Sequence, residues 1–447
     1  YLAEAAARSA SMAFVQEGRL VLDVGIPVVP VHNPRRLLAD LAADINGWPA
    51  HSLHTIGVTG TNGKTTTTRL IWHILTRAGR KTAYTGSLGT YPSESNGAVS
   101  LTTPDAVTLQ ALLADALKQG MTWAVIEVSS HGLVQERVHG IPFEVAVFTN
   151  LSPDHLEFHQ TIEEYRRAKS LLFQGVRQDG LAVVNADDDS SQQMLAAAPG
   201  RRALTFGRSV ESSVRILSVR GDPDGSAISL ACSSTLRSEG VLPEFVVHSG
   251  LVGMHNAYNV AAATAVALGL GVDTDAIAQA ITEFQPLHRR LEWVHGGELR
   301  ILDDYAHNPA NYRAALTAAL QIPFRRFVAV VAVRGSRSPQ VNLESALVLG
   351  EALSRYPHLV ILTSSADVVN EKDRVQPDEL QAFAAGLNRH GIRWIHRPDL
   401  RSALVTAIST ASKEDLIMLL GAQGMDQAQK LLGQVLSSEQ QSADRVN

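Results

Sequence analysis

Short apolar runs alternate with stretches of helical periodicity along most of the chain, which is the pattern of α/β proteins built on parallel sheets. In the first half, strand-like runs stand at 123–128, 145–148 and 181–184. Helical periodicity fills 106–119 and 161–175 between them. This alternation predicts a parallel sheet covered by helices.

The alternation stops in the middle of the chain and then resumes. Residues 203–250 lose the helical period and indicate short strands, with a Gly-Asp-Pro-Asp-Gly turn at 221–225. An Ala-rich stretch at 257–269 predicts a helix. Beyond residue 288 the predicted strands and helices are, in turn, 299–302, 309–320, 327–333, 343–354, 359–363, 378–389 and 416–420. We therefore expect a second α/β domain with its own core.

Composition narrows the class of protein and its partners. A chain of 447 residues exceeds one ordinary core, so about two or three domains are expected. With 39 basic and 44 acidic residues and no Lys- or Arg-rich run, nucleic acid is not expected as a partner. Cys232 is the only cysteine, which excludes a disulfide framework and a cysteine zinc site and favours a reducing cytoplasm. No apolar run approaches membrane-spanning length, so no membrane partner is expected.

The segment from Gly57 to Thr66 has the setting of a phosphate-binding loop, because it follows a strand-like run and opens a helical pattern at 64–75. Its glycines permit close approach of backbone N–H groups to an anion, and the helix adds its positive end. Lys64 would contact the β- and γ-phosphates of ATP, and the Thr65 hydroxyl would bind Mg²⁺. A Gly-rich turn without a ligand is the other interpretation. The predicted ATP-binding residues of the loop are Gly60, Thr61, Asn62, Gly63, Lys64, Thr65 and Thr66.

Polar residues follow two further strand-like runs. Glu127 closes one of them, and a carboxylate at the carboxyl end of a strand beside a phosphate loop is where a second Mg²⁺ ligand is expected. Asp154 and His155 follow the next run, and Lys169 lies on the helical pattern after it. Each also has a simpler interpretation, as a turn former, a surface histidine or a solvated lysine. Taken singly, the residue types leave these alternatives open.

Together, the segments 57–66, 127–133 and 149–156 with Lys169 resemble the Mur ligases, which form amide bonds with ATP during peptidoglycan precursor assembly. The resemblance is closest to the MurE type, which adds the third amino acid; it covers nearly the whole chain and is strongest from 55 to 175. It implies that Lys169 is carbamylated and becomes a carboxylate-like Mg²⁺ ligand. The implied catalytic residues are Lys64, Glu127, His155 and Lys169, and the implied metal ligands are Thr65, Glu127, His155 and Lys169.

The resemblance also implies residues for the other substrates. The acceptor, a UDP-MurNAc-dipeptide in the MurE type, would be held by Thr102, Thr103, Ser129, Gln135 and Arg137. Further nucleotide contacts would come from Asn256, Asn259, Arg290, Asp304, His307 and Arg337. A guanidinium matches a carboxylate or phosphate through two hydrogen bonds, but an arginine in an ordinary ion pair is the alternative for Arg137. A helix cap is the alternative for the two asparagines.

Three segments of the second half depart from the MurE pattern. Arg334 to Ser338 stands where the family has Gly-Asp-Arg-Asp, with only Gly335 and Arg337 kept. Residues 364–370 stand where an Asp-Asn-Pro-Arg motif reads the incoming amino acid, and 421–426 replace a Gly-Lys-Gly-His-Glu pattern. The resemblance therefore supports the chemistry and leaves the amino acid open.

The resemblance implies three domains: a remnant of an N-terminal UDP-binding domain at 1–50, a central P-loop domain with a parallel sheet at 51–287, and a Rossmann-like α/β ligase domain at 288–447. Because 1–50 resembles only the tail of the UDP-binding domain, weak binding of UDP-MurNAc-dipeptide is expected. The implied reaction joins an amino acid to a carboxylate acceptor through an acyl phosphate, with ATP and Mg²⁺ as cofactors. The alternatives are a ligase like folylpolyglutamate or cyanophycin synthetase, and a non-catalytic ATP-binding partner of a ligase; the oligomeric state is left open.

Overall fold

The computed structural model describes residues 2–19, 25–92, 101–154, 156–222, 225–238, 240–296, 298–336 and 338–443. Two predicted site residues, His155 and Arg337, lie outside these ranges, as does the centre of the predicted turn at 221–225. Across the described ranges, no helix combines the length and the apolar character that crossing a membrane requires.

Strands and helices alternate as the sequence predicts. The strands are β1 Ala13–Gln16, β2 Val28–Val31, β3 His54–Thr59, β4 Thr82–Gly86, β5 Gly89–Tyr91, β6 Trp123–Glu127, β7 Phe143–Phe148, β8 Val176–Asn185, β9 Arg202–Gly207, β10 Val214–Asp222, β11 Gly225–Cys232, β12 Glu244–Ser249, β13 Arg290–Gly296, β14 Leu299–Asp304, β15 Phe327–Ala332, β16 His358–Thr363, β17 Trp394–Arg397 and β18 Leu416–Leu420. The α-helices are α1 Leu2–Ala7, α2 Pro34–Ile45, α3 Lys64–Arg77, α4 Ala106–Lys118, α5 Ser130–Val134, α6 Leu156–His159, α7 Ile162–Gln174, α8 Ser191–Ala196, α9 Ser234–Ser238, α10 Met254–Gly269, α11 Thr274–Glu283, α12 Pro309–Ala319, α13 Pro339–Leu353, α14 Pro377–Arg389, α15 Leu400–Thr410 and α16 Ala428–Ala443.

The larger sheet has the strand order β12-β11-β10-β9-β8-β7-β3-β6-β4-β5. Strand β3 pairs in parallel with β6 on one side and with β7 on the other. Because parallel strands end at the same edge of a sheet, the segments that follow β3, β6 and β7 lie close together. That edge carries the phosphate loop and the polar residues that the sequence marks after the next two strands.

The smaller sheet has the order β13-β14-β18-β15-β16-β17, in which β13 and β14 are antiparallel and the other pairs are parallel. The predicted strand at 416–420 lies inside this sheet and is completely buried. Apolar clusters cover both faces, one built around Phe327 and Phe383 and the other around Ile361 and Leu404. This sheet is the predicted second α/β domain.

The chain forms two compact units. Unit 1 lies within Tyr1–Leu217, Leu230–Phe245 and Tyr258–Ile281, and unit 2 within Ser218–Ser229, Val246–Ala257 and Thr282–Asn447. The predicted domain boundaries at 50 and 287 stay predictions.

One predicted helix begins earlier than its apolar pattern indicates. Helix α13 begins at Pro339, where the sequence predicts a start at 343. Ser338 caps it, since its Oγ accepts a hydrogen bond from the Gln340 N–H at 3.2 Å, and proline is favoured at the first helical position. The cap and the proline, rather than the apolar period, set this helix start.

Candidate active site

Two glycines of the phosphate loop adopt positive φ and leave no room for a side chain. Gly60 has φ 152°, and a Cβ there would lie 1.8 Å from the Thr149 Oγ1. Gly63 has φ 82°, and a Cβ there would lie 2.3 Å from the Asn259 Oδ1. The loop can therefore pack against its neighbours only with glycine at both positions. The predicted residue Asn259 is one of those neighbours, because its Oδ1 also accepts from the Thr67 hydroxyl at 3.2 Å.

The segment after β7 holds the loop in place. Thr61 donates its N–H to the Asn150 backbone oxygen at 2.8 Å. The Asn150 side chain accepts from the Asn62 N–H and donates to the Asn62 oxygen, both at 3.0 Å. The Thr149 hydroxyl donates to the same oxygen at 2.6 Å. The loop leads directly into α3, and the N-terminal end of a helix is suited to binding an anion.

Lys64, the first residue of α3, folds back over the loop. Its Nζ donates to the backbone oxygens of Gly60 and Thr61, at 3.0 and 2.9 Å. The ammonium group therefore lies over the loop, where a bound phosphate would need a positive charge.

Thr65 and Glu127, two of the predicted metal ligands, are in direct contact. The Thr65 hydroxyl donates to Glu127 Oε1 at 2.9 Å, and the Ser87 N–H donates to Oε2 at 2.9 Å. Glu127 is buried, and a Cβ on Gly86 would come within 2.7 Å of its Oε2. Hydroxyl and carboxylate oxygens suit Mg²⁺, so both side chains fit the predicted metal site. Among the described residues, no cluster of three or more His, Cys, Asp or Glu forms a metal site.

Lys169 is buried beside the loop and is not a solvated helix lysine. Its side chain is 1% exposed, and its Nζ donates to the Gly60 oxygen at 2.8 Å. Burial lowers the pKa of Lys169 well below its ordinary value; nearby Lys64 lowers it further, and Asp154 opposes the shift. A lowered pKa favours the neutral amine, which is the form that reacts with carbon dioxide to give a carbamate.

The five predicted acceptor residues form one hydrogen-bonded cluster. The Thr103 hydroxyl donates to the Glu127 backbone oxygen at 2.9 Å and lies 3.1 Å from the Ser129 Oγ. Arg137 donates through Nη1 to the Thr103 oxygen at 2.7 Å and through Nε to the Gln135 Oε1 at 3.1 Å. Thr102 joins the cluster through the Ser87 hydroxyl, which donates to its Oγ1 at 3.1 Å.

In unit 2 the structure brings Arg290 and Asp304 together. They face each other across the β13–β14 pair, and Asp304 accepts from the Leu291 N–H at 2.9 Å. Burial raises the pKa of Asp304 to about 6, while the charge of Arg290 acts against this rise. The ring of His307 is held through its Nδ1, 2.9 Å from the Tyr305 backbone oxygen.

Asn256 lies on α10 near its start. Its Nδ2 donates to the Val252 backbone oxygen at 3.0 Å.

The pH dependence of stability offers a test of the Asp304 environment. The pKa of Asp304 rises from 3.8 to about 6 on folding, so its contribution is fully present below 3.8 and is lost as pH rises through 6. Asp304→Asn keeps an acceptor for the Leu291 N–H and removes this titration. The free energy of unfolding, measured with denaturant, should fall in wild type by about 2 kcal/mol relative to the variant as the pH rises from 4.5 to 7.5. A pH-independent difference in the free energy of unfolding between Asp304→Asn and wild type would contradict the assignment.

The sequence pointed to Arg290, but its neighbour Arg289 is the buried arginine. Arg289 is 3% exposed and donates to Asp303 Oδ1 at 3.2 Å, to the Ala422 oxygen at 2.9 Å and to Asp426 Oδ1 at 2.5 Å. It also donates to the Gly421 oxygen. Arg289 therefore ties the divergent segment 421–426 to β14. Two adjacent arginines are the only signal in the sequence, and they do not tell which one is buried.

In the segment 364–370, which would bind the incoming amino acid, two side chains make hydrogen bonds within the protein. Asp367 accepts the N–H groups of Leu400 and Arg401 at 2.7 and 3.2 Å, so it caps α15. The Ser364 hydroxyl lies 3.0 Å from His396 Nε2. These contacts connect the segment to α15 and to β17.

Two parts of the chain match sequence profiles of one family. Residues 58–267 match the profile described as Mur ligase middle domain, and residues 289–423 match that of the Mur ligase glutamate ligase domain. The two matches fall on the parts of the chain that carry the phosphate loop and the smaller sheet.

Individual relatives agree with the profiles. The chain is 35% identical over 428 residues to the UDP-N-acetylmuramoyl-L-alanyl-D-glutamate–2,6-diaminopimelate ligase of Geobacillus thermodenitrificans, covering 94% of this chain and 83% of the relative. A solved structure of a ligase with that name is 25% identical, with a TM-score of 0.64, over 94% of this chain and 86% of the other. The folylpolyglutamate synthase of Mycobacterium tuberculosis, solved with ADP and AMPPCP, has a TM-score of 0.71 at 19% identity, over 90% of this chain and 96% of the other. That last likeness concerns the fold alone.

Proposed function

This chain belongs to the Mur ligase family, and from that premise we propose that it joins an amino acid to the carboxyl group of a UDP-MurNAc-peptide in peptidoglycan precursor synthesis. It is an ATP-dependent ligase, as its relatives are. The proposal includes the site residues that the sequence predicts, with Mg²⁺ at Thr65, Glu127, His155 and Lys169.

One observation carries the proposal. Glu127 accepts the Thr65 hydroxyl through its side chain and the Thr103 hydroxyl through its backbone oxygen, both at 2.9 Å. Thr65 belongs to the phosphate loop, and Thr103 belongs to the acceptor cluster. Under the proposed assignment, a single residue joins the site of the γ-phosphate to the site of the carboxylate that would attack it. The proposed reaction accounts for that connection, since it requires the acceptor carboxylate to reach the γ-phosphate.

The reaction proceeds in two displacements. A carboxylate oxygen of the acceptor bonds to the γ-phosphorus as its bond to ADP breaks, giving an acyl phosphate. The amine nitrogen then bonds to the acyl carbon, inorganic phosphate leaves and the amine loses a proton to solvent. Lys64 would neutralise charge on the phosphates, and Arg137 would orient an anionic group of the acceptor. Bound Mg²⁺ would neutralise the negative charge that keeps two anions apart.

The proposal is tested by measuring products across a panel of acceptors and amines. We expect ADP and phosphate, rather than AMP and pyrophosphate, and an amide only when ATP, a UDP-MurNAc-peptide and an amino acid are all present. Mass spectrometry identifies the amide. Pteroyl-glutamate acceptors in the same panel test the folylpolyglutamate alternative. ATP turnover that is independent of every acceptor and amine would contradict the proposal.

We predict that neither meso-diaminopimelate nor lysine is an efficient amine substrate, although the relatives are named for diaminopimelate. Residues 364–370 lack the arginine that would pair with the carboxylate of the amino acid, and Asp367 is engaged in capping α15. Loss of a charge partner costs about 2 to 5 kcal/mol, so kcat/KM for these amines should fall at least about 30-fold below that of the best amine.

The comparison of kcat/KM uses one fixed acceptor and the same amine panel. Arg374 follows the divergent segment, and Arg374→Ala tests whether this residue supplies the missing charge. Diaminopimelate or lysine ranking with the best amines would contradict the prediction. A loss of that activity in Arg374→Ala would then identify the residue that reads the carboxylate.

A further inference from the structure

Four aromatic rings of unit 1 pack against one another in a row, and the proposed reaction assigns no role to them. The centroids of His131 and Phe158 are 4.1 Å apart, those of Phe158 and His159 4.8 Å, and those of His159 and Tyr165 4.9 Å. His159 and Tyr165 are 4% and 1% exposed. Close packing of rigid rings fixes the distances between the groups that contact neighbouring rings.

One end of the stack supports Lys169. The two residues Tyr165 and Lys169 lie one turn apart on α7, so their side chains share a face of the helix. The Lys169 Nζ lies 4.2 Å from the centroid of the Tyr165 ring and donates to the Gly60 oxygen at 2.8 Å. The ring therefore fixes the side from which Lys169 reaches the phosphate loop.

The ring next to Tyr165 in the stack, that of His159, supports the acceptor cluster. His159 Nε2 lies 2.9 Å from the hydroxyl oxygen of Ser130, the first residue of α5. Ser129 caps this helix, with its Oγ accepting from the Gly132 N–H at 3.1 Å and lying 3.1 Å from Thr103 Oγ1. His159 thereby fixes the start of α5, and with it the acceptor residue Ser129.

We propose that His159 and Tyr165 are positioning residues for the ligation, because their stacked rings hold Lys169 and Ser129 at a fixed separation. This inference rests on the proposed function. Neither residue needs to touch a substrate. The stack keeps the acyl group formed beside the phosphate loop in line with the amine that attacks it.

Misalignment of the acyl carbon and the amine would change the products of the reaction. If the acyl carbon is displaced from the amine, water attacks it instead, phosphate leaves and the acceptor carboxylate is restored. ATP is then consumed without an amide. The ratio of phosphate released to amide formed therefore reports positioning, whereas a loss of stability alone lowers both products together.

The test compares Tyr165→Leu and His159→Leu with Phe173→Leu. Phe173 is an equally buried ring on α7 that belongs to the apolar core, so it controls for the loss of a buried ring. Phosphate, amide and thermal stability are measured for each variant at saturating ATP, and the KM for ATP is measured separately. Tyr165→Phe keeps the ring face, and His159→Gln keeps a hydrogen-bonding group for Ser130.

We expect the phosphate-to-amide ratio to rise about threefold or more in Tyr165→Leu and His159→Leu, with amide kcat falling about tenfold and the KM for ATP nearly unchanged. The ratio should stay at the wild-type value in Phe173→Leu and Tyr165→Phe, and His159→Gln should restore part of the coupling. An unchanged ratio in both leucine variants would overturn the inference and leave the proposed function intact. A wild-type protein that forms no amide would overturn the proposed function, and the inference with it.

Discussion

Replacing Lys64 by alanine is expected to abolish Mg²⁺-ATP turnover while the protein stays folded. The Lys64 Nζ donates to the Gly60 and Thr61 oxygens of the phosphate loop, and in the proposed function it would neutralise charge on the β- and γ-phosphates. Removing one such charge in a closed site costs about 3 to 4 kcal/mol of transition-state stabilisation, which lowers the rate about 100- to 1,000-fold. Phosphate release measures the effect.

The loop itself should survive this substitution. Thr61 and Asn62 are held by Asn150 and Thr149, and none of these contacts involves the lysine side chain. Lys118→Ala is the matched control, because Lys118 is an exposed lysine that pairs with Asp115 at 3.4 Å. Thermal unfolding should be similar for the two variants. A Lys64→Ala rate within a few-fold of wild type, about 1 kcal/mol in barrier, would contradict the assignment.

Lys169→Ala is expected to lose most ligase activity, and bicarbonate or a short carboxylic acid should restore part of it. Lys169 is buried, its pKa is lowered, and its Nζ lies on the Gly60 oxygen beside the loop. A carbamate at this position would supply two oxygens toward the predicted metal site, and a small carboxylate could replace them in the space that alanine leaves. We expect kcat to fall by about 100-fold or more, because the loss of an outer-shell partner typically costs about 10- to 100-fold and a direct metal ligand should matter at least as much.

A methionine substitution separates the effect of packing at Lys169 from the effect of its nitrogen. Lys169→Met fills nearly the same volume without a nitrogen, so it should stay stable, lose activity and show no rescue. Incubation of wild type with ¹³C-bicarbonate should give a carbamate signal that Lys169→Met lacks. Full activity in Lys169→Ala, or no carbamate signal in wild type, would refute the assignment.

The phosphate loop could be predicted from sequence because its determinants are local. Glycine spacing, the lysine and the helical period all fall between Gly57 and Arg77, and α3 begins at Lys64 as predicted. What holds the loop is not local, since Asn150 lies 88 residues beyond Asn62 and reaches it only because β3 pairs with β7. Strand order decides such contacts, and a single sequence does not give strand order.

The acceptor cluster could be predicted only through the resemblance. Thr103, Ser129 and Arg137 lie on three separate segments, and periodicity does not indicate that they meet. Arg289 was missed for a related reason: its backbone has φ 56°, and the β13–β14 register shifts between Arg290 and Glu292. An irregular strand breaks the alternation that would otherwise tell which of two neighbouring arginines faces inward.

The hydrogen bonds between Asn150 and the loop lower the entropic cost of binding a nucleotide. Fixing the backbone of one flexible residue costs about 1 to 2 kcal/mol, and a free Gly-rich loop would lose that freedom when it closes on phosphate. Here the backbone of Asn62 is hydrogen-bonded at both its N–H and its oxygen within the protein itself. The loop is therefore preorganised, and more of the attraction between phosphate and protein appears as affinity.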